Sequence, residues 1–516
     1  MLQSRVSAIF LFLVLGILPL TAQDSLLYRA LTFPDTVCTV ESAFRSIERQ
    51  TGLSFSYNSD LINKKRVVTL QAGQHRLIDV LRRILNDPGL DYTIIGRHLV
   101  IFKPIKSLAS NPESLTDSVN YFEIRGRVLD RNDRQPLPYS SIYLNGKAIG
   151  TVSNNDGEFV LKLSSRFIYD TVNISCIGYK NITSPVASLI NTNRDYLLKT
   201  DVVSIQEVVI RKMSPVLLLQ SATEKVRENY PRKPAVLTSF YRETVKQGNR
   251  FMMVSEAILE NYKSGYHGTG ISDQVKILKG RKNEDINSED TIVLKLKAGL
   301  NTMLMLDVVM NMPDFLTGES TAEYNYRLSD IVIDNGQDNY AIEFSPKSLS
   351  LTSFYSGRIL LGIKDLAFKW VEFYVDPEQL ERATNLFVVK KPSFLKVKVL
   401  KAHYKVAFRE SAGKYYLHLI QAETEFRVRN KNKLSGSVYK MALGMVVTDI
   451  DTENASRFPF REAAKPNEFF TEQVGEYDES FWGEYNFVAP DESLENALVR
   501  LSRQWQKQQE EAAGNQ

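Results

Sequence analysis

Histidines, cysteines, serines and paired acids are the residues on which most protein chemistry would rest, so their spacing comes first. His75, His98, His267, His403 and His418 are the five histidines, and they are scattered along the chain. None falls in an H-E-x-x-H or H-x-x-E arrangement, the spacing that gathers imidazoles and a carboxylate round a zinc ion. A solvent-facing or hydrogen-bonded structural role is expected for each. Cys38 and Cys176, the two cysteines, read as small buried hydrophobes in separate domains rather than as a disulfide.

Serine chemistry has one decoy. Ser437-Val-Tyr-Lys440 matches S-x-x-K, Ser56-Tyr-Asn58 matches S-x-N, and Lys263-Ser-Gly265 resembles K-T-G. These fall in the wrong order and in two different domains, so no acyl-enzyme site is expected. No G-x-S-x-G, no phosphate-cradling G-x-x-x-x-G-K-[ST] and no G-x-G-x-x-G opening a helix occurs. The acidic pairs Glu284-Asp285, Glu289-Asp290, Asp449 with Asp451, and Asp478-Glu479 stand among Asn, Ser and Lys and read as solvated loops. Asn154-Asn155-Asp156-Gly157 lacks the alternating ligands and closing Glu of a calcium loop and reads as a turn. Thus no catalytic residue, cofactor or metal ligand is assigned. The alternative is an enzyme with an unrecognised active site in the C-terminal β domain.

The elements that would position any site follow from hydrophobic period and punctuation. The 516 residues predict roughly three or four domains at about 150 residues each. A composition of 43% hydrophobic and 24% charged residues is ordinary for a folded protein and rules out wholesale disorder. The net charge of +4 gives no field that would draw nucleic acid. Residues 1–22 read as a signal peptide, with Arg5 before an apolar run at Ala8 to Leu18 and cleavage between Ala22 and Gln23. No later stretch approaches the length of about 18 apolar residues that a membrane helix needs, so no transmembrane segment is expected in the mature chain.

Residues 24–103 read as a small βαββαβ unit. Val40, Ala43, Phe44 and Ile47 mark a helix that Gly52 stops, and Leu77, Val80, Leu81, Ile84 and Leu85 mark a second. Residues 104–121 form a Pro-, Ser- and Asn-rich linker, in which Ser118 sits in a D-[ST]-apolar pattern suited to O-glycosylation. Residues 122–210 alternate in short strands with turn clusters between them, the pattern of an antiparallel β-sandwich. Residues 211–490 continue as a β-rich domain, and 491–516 as a helix and tail. Phe251, Phe344, Phe368, Phe373, Tyr374, Tyr404 and Tyr416 read as core or as the wall of a cavity in that domain.

The stretches VESAFRSIERQTGLSFSYNSD and HRLIDVLRRILNDPGLDYTIIGRHLVIF resemble the short N-terminal (STN) domain of secretins and TonB-dependent receptors. That resemblance implies a periplasmic protein–protein module reporting to an anti-sigma partner. IRGRVLDRNDRQPLPYSSIYLNGKAIGTVSNNDGEFVLKL, ISCIGYKN and IQEVVI resemble the carboxypeptidase-regulatory-like domain, which implies a prealbumin-like sandwich. The C-terminal alternation of long strands with a helix resembles the incomplete barrels of lipoprotein-sorting carriers. A complete TonB receptor is not expected, because a plug and a barrel of about 22 strands need roughly twice the residues that follow the sandwich. The expectation is a multidomain α+β, non-enzymatic, exported protein of a Gram-negative envelope, in the periplasm or at the outer membrane. Its expected partners are receptor or anti-sigma-type envelope proteins, or an apolar or glycan ligand.

Overall fold

A computed structural model describes residues 24–514 except 58–60, 88, 96, 103–120, 191, 202–212, 267–271, 286–294, 297–298, 321, 348–352, 391–392, 433–434, 467, 469 and 477–481. Ala22, Gln23, Ser118, His267 and the acidic pairs Glu289-Asp290 and Asp478-Glu479 lie outside the described residues. The chain divides into two compact units.

The first unit comprises the described residues up to Phe122, with Ser164–Thr171 and Ser184–Thr192. Its helix Val40–Thr51 begins where the Thr39 side chain accepts the Ser42 N–H, and it ends at Gly52 with φ 72°. Val40, Ala43, Phe44 and Ile47 are buried, as the period demands, against Leu77, Val80, Leu81 and Ile84 of helix Leu77–Leu85. Strand His98–Phe102 lies between Ser54–Tyr57 and Asp91–Ile95, parallel to the first and antiparallel to the second. Two more pairs extend the expected βαββαβ order: Ala30–Phe33 with Gly73–Arg76, and Thr36–Thr39 with Val67–Leu70. The polar Gly73-Gln-His-Arg76 carries no apolar alternation, which is why its strand is illegible in sequence.

The second unit takes in Glu123–Leu163, Val172–Thr183 and Asn193 onward. Its first part holds a four-stranded sheet, in the order Gly150–Val152, Ser141–Leu144, Thr171–Ser175, Ile182–Pro185. A three-stranded sheet, Glu158–Ser164, Tyr121–Asp130, Asn193–Leu198, accompanies it. The expectation of a wholly antiparallel arrangement is corrected here, since Asn193–Leu198 runs parallel to Tyr121–Asp130. The long connection between them supplies the crossover that parallel pairing requires.

The remainder is built on one open sheet of eleven strands, numbered here along the chain. They are β1 (Ala235–Gln247), β2 (Arg250–Lys263), β3 (Gln274–Glu284), β4 (Tyr324–Asp334), β5 (Gln337–Pro346) and β6 (Tyr355–Gly362). They continue with β7 (Phe368–Val375), β8 (Leu395–Ser411), β9 (Lys414–Asn430), β10 (Ser437–Asp451) and β11 (Gly475–Glu476). The spatial order is β4-β5-β6-β7-β8-β9-β10-β1-β2-β3-β11. Every pairing but the β3–β11 contact is antiparallel, so hairpins supply most of the connectivity. The β4–β5 turn is made by Asn335-Gly336, a pair suited to a tight hairpin, with φ 49° and 70° at the two residues.

Alternation along the strands gives the sheet two apolar faces. Helices α1 (Pro215–Glu224), α2 (Leu300–Met305), α3 (Asp314–Thr317) and α4 (Leu380–Phe387) cover one, sharing its core through Leu219, Met303, Phe315 and Ala383. On the other face Phe240, Ile258, Ala407, Leu419 and Val446 pack with Val152 of the two-sheet part and with Trp482 and Val488. The segment up to helix α5 (Glu492–Gly514) is laced to the 150–163 hairpin. Thr151 Oγ1 donates to Phe487 O at 3.0 Å, Asn154 Nδ2 to Pro490 O at 2.9 Å, and the Glu492 N–H to Asp156 at 2.8 Å. The Asn-Asn-Asp-Gly turn thus anchors the start of a helix, and Gly157 (φ 77°) has no room for a Cβ beside Val128 O.

Candidate functional site

Where the two-sheet part meets β5 to β9, the packing leaves a cavity of about 320 Å³. Ser141, Tyr143, Tyr139 and Cys176 form one wall, and Arg358, Trp370, Arg409 and His418 form the other. The positions of the charged groups follow from strand period. Lys405, Ala407 and Arg409 alternate onto one face of β8, while Val406 and Phe408 turn to the helix-covered core.

His418 reaches the cavity by another device. Ala407 pairs with Leu419 and Phe408 with Leu417, so His418 is the extra residue of a β-bulge in β9. A bulge inserts one residue and re-aims its side chain. His418 is only 5% exposed, and its Nε2 shares a hydrogen bond with Ser141 Oγ at 3.0 Å. Its Nδ1 is buried and meets no hydrogen-bond partner among the described residues. Burial, and then the Arg409 charge, holds the imidazole well below its usual pKa, so it is neutral near pH 7.

Arg409 Nη2 donates to Ala148 O at 2.5 Å, and its guanidinium lies over the Tyr143 ring at 4.7 Å. Its Nη1 is buried without an acceptor among the described residues. Burial pushes the guanidinium pKa down to about 10, which leaves it charged. The Arg358 Nε on β6 is likewise enclosed without an acceptor. Three buried nitrogens of three cavity-lining residues therefore have no hydrogen-bond partner among the described residues.

The neighbouring charges are engaged. Glu372 accepts from His403 Nε2 at 2.9 Å and lies 3.7 Å from Lys405 Nζ. Burial pushes that carboxyl up, but His403 and Lys405 bring it to a net position below its usual value. Lys369 is buried, donates to Gln337 and lies 3.9 Å from Asp365. Desolvation lowers its pKa, with Asp365 opposing. Burial raises the Asp334 carboxyl. Tyr139 lines the same cavity at φ 60°, a backbone conformation rare for a bulky residue and concentrated at ligand sites.

The residues singled out in sequence are dispersed. His75 bonds to Gln71 O, His98 to Ser56 and His403 to Glu372, all of them structural roles. Cys38 and Cys176 are unpaired, but each keeps partial exposure rather than the full burial expected, and desolvation raises both thiols. In the serine decoy, Lys263 is locked between Asp273 and Asp307, and Lys440 pairs with Glu425. Glu284 sits beside Lys282, Asp285 beside Arg250, and Asp451 caps the backbone of Glu453 and Asn454. Of the strand aromatics, Phe344, Phe368, Phe373, Tyr404 and Tyr416 are core, Phe251 packs with helix α5, and Tyr374 is exposed. Ser141, Arg358 and Arg409 were not legible as site residues. Ser141 and His418 are separated by 277 positions, and the bulge that brings them together leaves no periodic signal.

Among the described residues no cluster of three or more His, Cys, Asp or Glu is placed to hold a metal ion. No helix of those residues is long and apolar enough to cross a membrane.

Comparison with known families finds the CarboxypepD_reg-like domain at residues 124–210 and the secretin and TonB N-terminus short domain at residues 53–104. The chain carries both domains. The first is regulatory and non-catalytic, and the second sets a TonB-type, Gram-negative envelope context. A search of curated proteins finds no match. Among solved structures, a DUF1329 family protein from Desulfovibrio piger is similar at 12% identity, covering 48% of this chain and 96% of its own, with a TM-score of 0.21. A LolA superfamily protein from Nitrosomonas europaea is similar at 14% identity, covering 46% and 97%, with a TM-score of 0.16. Lipovitellin, from a structure concerned with lipid–protein interactions, is similar at 9% identity, covering 44% and 26%, with a TM-score of 0.22. At such scores nothing further follows from these structures.

Proposed function

We propose that this chain is an exported, non-catalytic module on the periplasmic side of the outer membrane, linked to TonB-type transport or signalling. Its STN domain would dock on a receptor or anti-sigma-type partner, and its second unit would hold a small ligand. The observation that carries the second half is the half-open cavity of about 320 Å³ lined by Tyr139, Tyr143, Trp370, Arg358, Arg409 and His418. The volume lies at the low end of small-molecule sites, about 300 to 1,000 Å³. That favours a sugar-sized ligand over an apolar chain.

The reading keeps residues 1–22 as a signal peptide cut between Ala22 and Gln23, with Ser118 glycosylated in the 104–121 linker. It assigns 24–103 to the STN-like domain, 122–210 to the prealbumin-like sandwich, 211–490 to the β-rich domain and 491–516 to a helix and tail.

A second reading, an enzyme, is favoured by one observation: the Ser141–His418 hydrogen bond. A nucleophilic serine needs a base that is itself oriented by a third group. Among the described residues no carboxylate is hydrogen-bonded to His418 Nδ1, and burial makes the ring a weak base. Ligand-observed NMR of the full chain with a panel of small glycans separates the two. Binding with the glycan unchanged after prolonged incubation is the expected result. Conversion of any glycan that ceases in Ser141→Ala would overturn the non-catalytic reading.

A further inference from the structure

Between β10 and β11 the chain returns along the outer edge of β3 as a strap that the sheet holds at several points. The Gln274 side chain clasps Phe458, accepting its N–H at 3.0 Å and donating to its O at 3.4 Å. The Phe458 ring meets Tyr262 edge-on at 6.5 Å and lies under Lys276 Nζ at 5.7 Å. The Ala464 N–H donates to Val275 O at 2.7 Å, and Lys276 Nζ donates to Glu462 at 2.6 Å. Between these fixed points the chain reverses. Pro459 O accepts the N–H groups of Glu462 at 2.9 Å and Ala463 at 3.1 Å, which puts Phe460 and Arg461 at the two corners of the turn.

Phe460 is 91% exposed, and the next most exposed large apolar side chain among the described residues is Val37 at 70%. A lone surface aromatic is ordinary. This one is set apart by the clasped turn beneath it and by the charge beside it. Residues 455–461 carry two arginines, Arg457 and Arg461, and no acid. Both arginines are exposed, and neither is ion-paired among the described residues. The acids that follow are engaged, Glu462 with Lys276 and Glu468 with Lys465. On the other side, Asp451 caps the backbone of Glu453 and Asn454, and Glu453 is exposed.

We propose that the Phe460 turn is a membrane-contact tip, whose ring enters the headgroup region of an anionic bilayer while Arg457 and Arg461 meet lipid phosphates. This surface is separate from the junction cavity, and the proposal stands whether or not a ligand binds there. A protein partner would need about 800 Å² on each side, with its anchors set among packed neighbours. Here Ser456, Arg457, Pro459, Arg461 and Glu462 are all exposed, so the tip is a narrow knob rather than a patch. A bilayer interface accepts a single knob without complementary shape, since it takes aromatic rings at headgroup depth. Guanidinium groups match phosphate oxygens and are drawn to an anionic leaflet. Because the turn is held before contact, little chain order is lost on binding.

Vesicle co-sedimentation tests this, using the chain from Gln23 onward so that the apolar run at Ala8 to Leu18 cannot serve as an anchor. The probes are phosphatidylcholine vesicles with and without an equal share of phosphatidylglycerol. The expected result is weak, reversible binding to the anionic vesicles, below the constant of about 10⁴ M⁻¹ of a single myristoyl chain, that falls as salt rises. Phe460→Ala should weaken it about tenfold or more, and Arg457→Gln or Arg461→Gln about fivefold each. The urea midpoint should stay the same in all three. Phe460→Trp should restore binding and shift its emission to the blue on anionic vesicles. Absence of binding at millimolar lipid, or binding that Phe460→Ala leaves intact, would overturn the proposal. Equal binding to the neutral vesicles would overturn the role of the arginines. Self-association without lipid that Phe460→Ala abolishes would also overturn it, by seating the ring in a second copy of the chain.

Discussion

Glu243 is a buried carboxyl on the helix-covered face of the large sheet. It accepts a hydrogen bond from the Tyr241 hydroxyl and lies in the interior beside Gly299, whose added Cβ would come within 3.5 Å of Oε1. Burial raises its carboxyl pKa to about 7, with the Tyr241 bond pulling only partly the other way. The folded state therefore holds a proton that the unfolded chain releases near its ordinary value of 4.5. Stability from this group is fully present below that value and is lost as pH rises towards about 7. The size is about 3 kcal/mol. Glu243→Gln should flatten the fall in urea midpoint between pH 5 and 7, and an unchanged slope would contradict the assignment. None of this is visible in sequence, where Glu243 is one acid on an alternating strand. Its partner Tyr241 shares its face, but the depth of that face depends on helices encoded elsewhere.

Among elements, the four-residue α3 shows how the covered face is closed. Phe315 is fully buried, stacks on Phe344 at 4.5 Å and meets Phe373 at 5.2 Å. A turn this short has no stability of its own, so its single aromatic pins it. Phe315→Ala should cost about 3–5 kcal/mol, read as a lowered chemical-denaturation midpoint, and a loss below about 1 kcal/mol would mean that α3 is not part of the core. Element by element, local chemistry was legible. Gly52 caps its helix and Asn335-Gly336 turns its hairpin, because one or two residues dictate each conformation. Helix α2 stops at Met305, since Leu306, Val308 and Val309 are drawn into the core in an irregular turn. The β-bulge at His418 was illegible because it breaks the two-residue period by which strand faces are read.

At the scale of the whole chain, the second unit owes its unity to Trp482. The ring packs edge-on to Phe240 at 5.3 Å, stacks on Phe487 and lies under Arg281 at 4.4 Å. Arg281 and Arg242 both grip the buried Glu256, and Arg242 also donates to Val488 O at 2.8 Å. Because Val152 shares this cluster with the large sheet, the two-sheet part and the sheet should lose protection together. Trp482→Ala is expected to cost about 3–5 kcal/mol and to raise hydrogen exchange in both Gly150–Val152 and β1. Exchange rising in one alone would refute a shared core. Such long-range packing is the part that the sequence hides. The strands are legible one at a time, whereas the cavity exists only because Ser141 and Tyr143 come to rest against His418 and Arg409. The most direct test of that cavity as the ligand site is native mass spectrometry of the full chain purified from its own envelope, beside an Arg358→Gln, Arg409→Gln double variant. The account predicts a small molecule retained by the wild type and absent from the variant. Retention of the same molecule by both proteins would contradict it.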